Sequence, residues 1–276
     1  MQELSQEQHE YILQFRHPEK MLAELPGANL DVMAELENMT PEAYRAARQK
    51  FAERAHEAAE ELLEGAETTD LVDQLPFLAG QTVVGLGDSI TDDLQSWLEI
   101  LRHLWAIHRP DEEVTFVNRG YSGDTTTHAI CRFGQVVADE PDWIICMLGT
   151  NDVRLHGESP TKTLVSTSET ESNLEMLRHY AATETDAHWV WLTPTPVIEE
   201  QIRDHWRMSD LSLMWHNADL EAIREAILNR NEPAVDLSDV FTTPPDPLFF
   251  LPDGLHPSLA GQKKITRAVI RTLSAL

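Results

Sequence analysis

The sequence predicts an α/β fold: a parallel five-stranded sheet in a three-layer sandwich, preceded by an N-terminal helical extension. Three observations carry that expectation. From Thr82 onward, short apolar runs alternate with stretches of helical periodicity, the pattern of repeated βαβ units with right-handed crossovers. The run Trp143-Ile144-Ile145-Cys146-Met147-Leu148 is apolar throughout, as expected of a strand covered on both faces. Residues 1–78 read as helices only. The chain therefore divides into an extension over 1–78 and an α/β domain over 79–276.

Within the extension, Ser5 can cap a short helix that ends near His17-Pro18, and Pro26-Gly27 is a break. Thr40-Pro41-Glu42 opens the next helix with a capping hydroxyl, a proline at the first helical position and an acid in the first turn. Tyr44, Ala47, Phe51, Ala55, Ala58 and Leu62 then recur at helical spacing up to a stop at Gly65. The extension carries no chemical motif. Amphipathic helices most often bury one face in their own protein, so packing on the α/β domain is expected. The alternatives are a cap over the substrate or a surface that makes a homo-oligomer.

In the domain, strand one spans about 82–87. Leu94, Trp97, Leu98, Leu101, Leu104 and Trp105 form the stripe of the following helix. Strand two is 114–118, a helix covers 126–137, strand three is 143–148, and a helix includes 173–182. Strand four, 189–192, is halted by Pro194 and Pro196. Residues 211–228 read as mostly helical, 234–237 as a weak fifth strand, and 258–273 as the closing helix.

Composition excludes several function classes. The chain has 276 residues, 42% hydrophobic and 25% charged, enough to bury a full core. It has 21 basic and 47 acidic residues, hence 21 − 47 = −26, and such a surface repels nucleic acid and anionic membranes. Neither nucleic acid nor stable membrane association is expected. No apolar run is long enough to span a bilayer. The polar, acidic N-terminus lacks the features of a signal peptide, so a cytoplasmic location is expected. Cys131 and Cys146 read as two buried, reduced thiols rather than a disulfide.

Chemistry concentrates around Gly85-Leu86-Gly87-Asp88-Ser89-Ile90-Thr91. Ser89 lies where a strand opens into a helix, at the sheet edge where open α/β sheets bind ligands. Backbone N–H groups at a helix start can hold an anion there. Three later stretches also sit after strands or before helices: Ser122-Gly123-Asp124, Gly149-Thr150-Asn151-Asp152 and Asp253-Gly254-Leu255-His256-Pro257. A serine hydroxyl needs a base. His256 is the candidate, its imidazole titrating near neutrality. Asp253, three residues earlier, can orient the ring within one loop. Taken singly, the glycine and asparagine blocks would be ordinary turns.

Together the four blocks resemble those of the GDSL, or SGNH, hydrolases, in the family order and over residues from about 81 to the end. The resemblance implies a flavodoxin-like strand order, which periodicity alone does not give. It implies Ser89 as nucleophile with Asp253 and His256, and an oxyanion hole from the Ser89 and Gly123 backbone N–H groups and the Asn151 side chain. It implies no cofactor and no metal. The sequence departs from the α/β-hydrolase elbow, because Ile90-Thr91 follows Ser89 where that motif needs a residue and then glycine. Asp88 and Asp152 are expected to brace their loops.

The expected activity is carboxylic ester hydrolysis through an acyl-enzyme, on a small-molecule or glycan ester with a short acyl group, acetyl being preferred. A catalytically silent binding protein on the same fold and a metal-dependent phosphoesterase are the alternatives. Against the phosphoesterase, the sequence lacks the paired His-bearing loop after an early strand that two metals would need, and Asn151 is followed by Asp152 rather than His. Residues 152–168 and 195–215, the latter with Trp206, Met208, Leu213, Met214 and Trp215, are expected either to line the pocket or to pack in the core.

Overall fold

The computed structural model describes residues 5–22, 25, 27–157 and 161–276. Pro26 of the anticipated break and residues 158–160 of the anticipated pocket segment lie outside the described residues. Along the chain run α1 (Gln6–Phe15), α2 (Pro18–Met21), α3 (Leu30–Leu36), α4 (Pro41–Leu63) and α5 (Ala66–Asp73). They are followed by β1 (Thr82–Gly87), α6 (Ser89–Asp92), α7 (Trp97–His108), β2 (Thr115–Gly120) and α8 (Thr126–Ala138). Next come β3 (Trp143–Met147), β4 (Leu155–His156), α9 (Thr167–Glu184), β5 (His188–Leu192), α10 (Glu199–Asp204) and α11 (Trp206–Asp210). The chain closes with β6 (Leu213–Met214), α12 (Asn217–Leu228), β7 (Ala234–Val235) and α13 (Leu259–Leu273).

Among the described residues the main sheet has five strands in the order β2-β1-β3-β5-β7, all parallel. Counting only these strands, the order is 2-1-3-4-5, the flavodoxin-like arrangement. Alternate strand residues face opposite layers. Val83, Ile145, Val190 and Leu192 meet α5, α7 and α13 on one face. Val84, Ile144, Cys146 and Trp191 meet α8, α9 and α12 on the other. Both faces being covered explains why the central strands carry almost no polar residue.

Several features differ from the expectations: β2 runs on to Gly120, β7 stops at Val235 because Asp236 caps a 3-10 turn from Leu237, and Cys131 is exposed on α8 while Cys146 is buried in β3. The helix anticipated from Leu94 begins at Trp97, because the Ser96 hydroxyl caps it and Asp93 accepts from the Gln95 N–H to form a turn first. Residues 211–216 are not helical: Leu213–Met214 pair antiparallel with Leu155–His156, a small second sheet that ties the two pocket-flanking segments together.

In the extension, α4 lays Ala55, Ala58, Ala59 and Leu62 on Ile100 and Leu104 of α7. Leu13 of α1 packs with Met33, Ala34 and Tyr44. The other sides of α1 turn toward the C-terminal edge of the sheet. No helix among the described residues is long and apolar enough to cross a membrane.

Candidate active site

β1 ends at Gly87 and α6 begins at Ser89, so the serine sits at the C-terminal edge of the sheet. Asp88 caps α6, its Oδ1 accepting from the Ile90 N–H at 3.0 Å. Complete burial raises the Asp88 carboxyl to about 7, against the lowering effect of that N–H. The Ser89 Oγ lies 2.8 Å from His256 Nε2, although 167 residues separate them.

The ring is held from its other nitrogen. His256 Nδ1 is 2.6 Å from Asp253 Oδ2. Asp253 Oδ1 accepts the backbone N–H groups of Leu255 at 2.8 Å and His256 at 2.9 Å. This carboxylate is fully buried, which raises its proton affinity, but the His256 ring and the two N–H groups outweigh burial and hold it below the usual carboxylate range. For His256, burial disfavours the imidazolium, yet Asp253 and the more distant Asp93 and Asp88 outweigh it and raise the ring above its ordinary value. A carboxylate on Nδ1 places the neutral ring's lone pair on Nε2, facing the serine.

Gly123 and Asn151 line the same cavity as Ser89 and His256. Among the described residues no protein acceptor takes the N–H of Ser89 or of Gly123. The Asn151 Nδ2 donates one bond to the Asp124 carbonyl at 3.1 Å, which leaves its second hydrogen for the cavity. Arg154 donates to Asn151 Oδ1 at 3.3 Å and thereby fixes which end of the amide donates. Gly123 has φ +89°, a left-handed conformation that a side chain would strain.

The Gly123 loop is clamped from two sides. Asp92 Oδ2 accepts from the Ser122 N–H at 3.0 Å and its hydroxyl at 2.8 Å. Arg132 pairs with Asp124, donates to the Gly87 carbonyl at 3.1 Å and stacks over Tyr121. Asp92 is itself held by the His17 ring and by Lys20. Burial raises the Asp92 carboxyl, but those two partners lower it further, to about 2. Asp152 accepts from the Thr126 N–H and hydroxyl and from Thr170, bracing the loop that carries Asn151.

The cavity has a volume of about 190 Å³. Of the residues named from sequence, Met208, Leu213 and Trp215 line it. Trp206 stands behind Tyr11, with ring centroids 6.4 Å apart, and Met214 packs against the core. The sequence left a cap over the substrate as one alternative for the extension, but named none of the residues that form one wall. Tyr11, Ile12 and Phe15 of α1, with Arg16 just after it, face the cavity, and the Phe15 ring stacks on His256 at 4.2 Å between centroids. The only local signal was the capping box of Ser5 and Gln8, which announces a helix but not its destination. Among the described residues no group of three or more His, Cys, Asp or Glu side chains is placed to hold a metal ion.

Residues 86–264 match the GDSL-like Lipase/Acylhydrolase family. The chain belongs to that family. As a GDSL-like acylhydrolase it is an ester hydrolase, and its four sequence blocks meet around one cavity. Similar solved structures include LAE5, described as an alpha/beta hydrolase enzyme from the metagenome of Lake Arreo, Spain (22% identity, TM-score 0.55, 71% of this chain and 96% of that one). Another is Axe2, described as an acetylxylan esterase from Geobacillus stearothermophilus (22% identity, TM-score 0.54, 71% of this chain and 94% of that one). At such identity the likeness concerns the fold. No match was found among curated proteins.

Proposed function

We propose that this GDSL-like hydrolase is a serine esterase that works through an acyl-enzyme on short-chain, preferably acetyl, esters of a small molecule or a glycan. The observation that carries the reading is the chain of contacts Ser89 Oγ to His256 Nε2 at 2.8 Å and His256 Nδ1 to Asp253 at 2.6 Å. Nucleophile, base and orienting acid stand in hydrogen-bond reach, in that order.

In this mechanism His256 Nε2 takes the Ser89 proton as Oγ attacks the ester carbonyl carbon. The oxyanion that forms is met by the N–H groups of Ser89 and Gly123 and by the Asn151 amide; one such donor is worth about 10²–10³ in rate. His256 then gives its proton to the leaving alcohol, and the C–O bond breaks. Water, deprotonated by the same ring, attacks the acyl carbon. The acid leaves and Ser89 recovers its proton.

Support for a short acyl group comes from the cavity. Its volume of about 190 Å³ is small beside the roughly 300–1,000 Å³ of typical small-molecule clefts. The similar Axe2 is described as an acetylxylan esterase. Its catalytic mutants replace a serine, an aspartate or a histidine, and that aspartate precedes that histidine by three residues, as Asp253 precedes His256.

The test is Ser89→Ala on p-nitrophenyl esters from acetate to palmitate. The wild type is expected to lose kcat/KM as the acyl chain lengthens, and the folded variant to lose nearly all turnover of every ester. Retained turnover by Ser89→Ala would remove the nucleophile assignment, and preference for palmitate would remove the short-chain assignment.

A further inference from the structure

The proposed mechanism uses residues of the α/β domain alone, yet two aromatic side chains from the N-terminal extension touch its acid and its base. Tyr11 donates its hydroxyl proton to Asp253 Oδ2 at 2.8 Å, the same oxygen that meets His256 Nδ1. One turn later on the same helix face, Phe15 lies nearly flat on the His256 ring, with an interplanar angle of 27°. Both residues precede the segment matching the family, which begins at residue 86.

We infer that α1 is part of the catalytic apparatus, with Tyr11 as a positioning residue that fixes the Asp253 carboxylate and Phe15 as the wall that holds the His256 ring in plane with Ser89. This rests on the mechanism proposed above.

The helix is tied down on either side of these two residues, so their placement is not accidental packing. Its Ser5 capping box secures the first turn. Gln14 Nε2 donates to Asp93 Oδ1 at 2.9 Å, and the Gln14 carbonyl accepts from the Leu94 N–H at 3.4 Å. Just beyond the helix, His17 lies 2.9 Å from Asp92 Oδ1, the carboxylate that holds the Gly123 loop. One short segment therefore braces both the acid–base pair and the loop carrying a proposed oxyanion donor.

Toward Asp253, Tyr11 is the donor. Burial and then the Asp253 charge hold its phenol protonated far above the ordinary range. A proton donated to Oδ2 draws charge away from the face of Asp253 that meets Nδ1. It thereby weakens the pull of the carboxylate on the imidazolium and stops the carboxyl from rotating. The other charged or titratable groups facing this pair are few. Asp88 and Asp93 act on His256 from the α6 side. His205, whose ring lies 5.4 Å from that of Tyr11, and Arg207 act from α11 and the turn before it.

Tyr11→Phe keeps the ring and removes the donor. Its kcat on p-nitrophenyl acetate is expected to fall roughly tenfold, about what one charge-assisted hydrogen bond is worth, with KM little changed. The acidic limb of kcat/KM against pH is expected to move up by about half a unit, because the imidazolium then faces an undiluted carboxylate. Phe15→Leu, which keeps apolar volume but not the flat ring, is expected to lower kcat about threefold without moving that limb, since no charge is altered. A folded Tyr11→Phe with wild-type kcat and an unmoved limb would overturn the role of Tyr11. If Tyr11→Phe fails to fold, Phe15→Leu decides alone, and wild-type kcat there overturns the inference. Ser89→Ala separates the two levels: turnover without Ser89 defeats the mechanism itself, whereas an inactive Ser89→Ala beside an unaffected Tyr11→Phe defeats only the role given to α1.

Discussion

Replacing Asp253 by asparagine tests the acid–base pair most sharply, because the structure dictates which way the amide must sit. Four donors converge on this carboxylate: the N–H groups of Leu255 and His256 on Oδ1, and His256 Nδ1 and the Tyr11 hydroxyl on Oδ2. An amide has one acceptor oxygen. If its NH₂ faced the two backbone N–H groups, two buried donors would lose their partner at about 1–3 kcal/mol each. The oxygen therefore takes the Oδ1 position and the NH₂ faces the His256 ring. There it donates to Nδ1, which puts the ring hydrogen on Nε2, pointing at Ser89. A ring in that tautomer cannot accept the serine proton. The expected loss in kcat is about 10⁴, the cost of the same exchange in a Ser-His-Asp protease. The assay is p-nitrophenyl acetate hydrolysis at neutral pH, with folding checked by the thermal midpoint. A folded Asp253→Asn that keeps kcat within about tenfold of wild type would refute the tautomer argument, since the wrong tautomer costs far more.

Asn151→Ala removes one proposed oxyanion donor and its bond to the Asp124 carbonyl, while the Gly123 loop keeps its Asp92 and Arg132 supports; kcat is expected to fall about 10²–10³-fold with KM much less affected, and an unchanged kcat would take Asn151 out of the oxyanion hole. Activity should be lost as pH falls through the folded-state value of His256, which lies above that of a free imidazole, so a kcat/KM profile with its acidic midpoint below the ordinary histidine value would contradict the ion-pair geometry. For stability, a raised histidine contributes fully below its ordinary value and loses that contribution as pH rises through the folded value. The stability gap between wild type and His256→Gln should accordingly narrow as pH is raised above neutrality, and a gap independent of pH would count against the pairing.

Much of this was legible in the residues because it depends on local chemistry. The polar-free run at 143–147 reports burial on both faces without reference to any partner. Asp88, Ser89 and Ile90 form the strand-to-helix turn from their own side-chain and backbone bonds. Asp253 reaches His256 because three residues in one loop suffice. The start of α7 shifted through local capping at Ser96, whereas the start of α12 was decided by a distant contact. Leu213 and Met214 leave helical geometry because Leu155 and His156 offer backbone partners, and the amphipathic spacing of 211–228 contains no trace of that pairing.

What the sequence by itself determined was the alternation of strands and helices and the identity of the groups at the strand ends, since periodicity and turn chemistry act over a few residues. Only the tertiary structure decided that α1, some seventy residues before Ser89, supplies a wall of the site. An amphipathic helix states that one face must be buried and not against what. Here the answer depends on hydrogen bonds from Gln14, His17 and Tyr11 to carboxylates brought to the same place by the sheet, and that convergence exists only once the chain has folded.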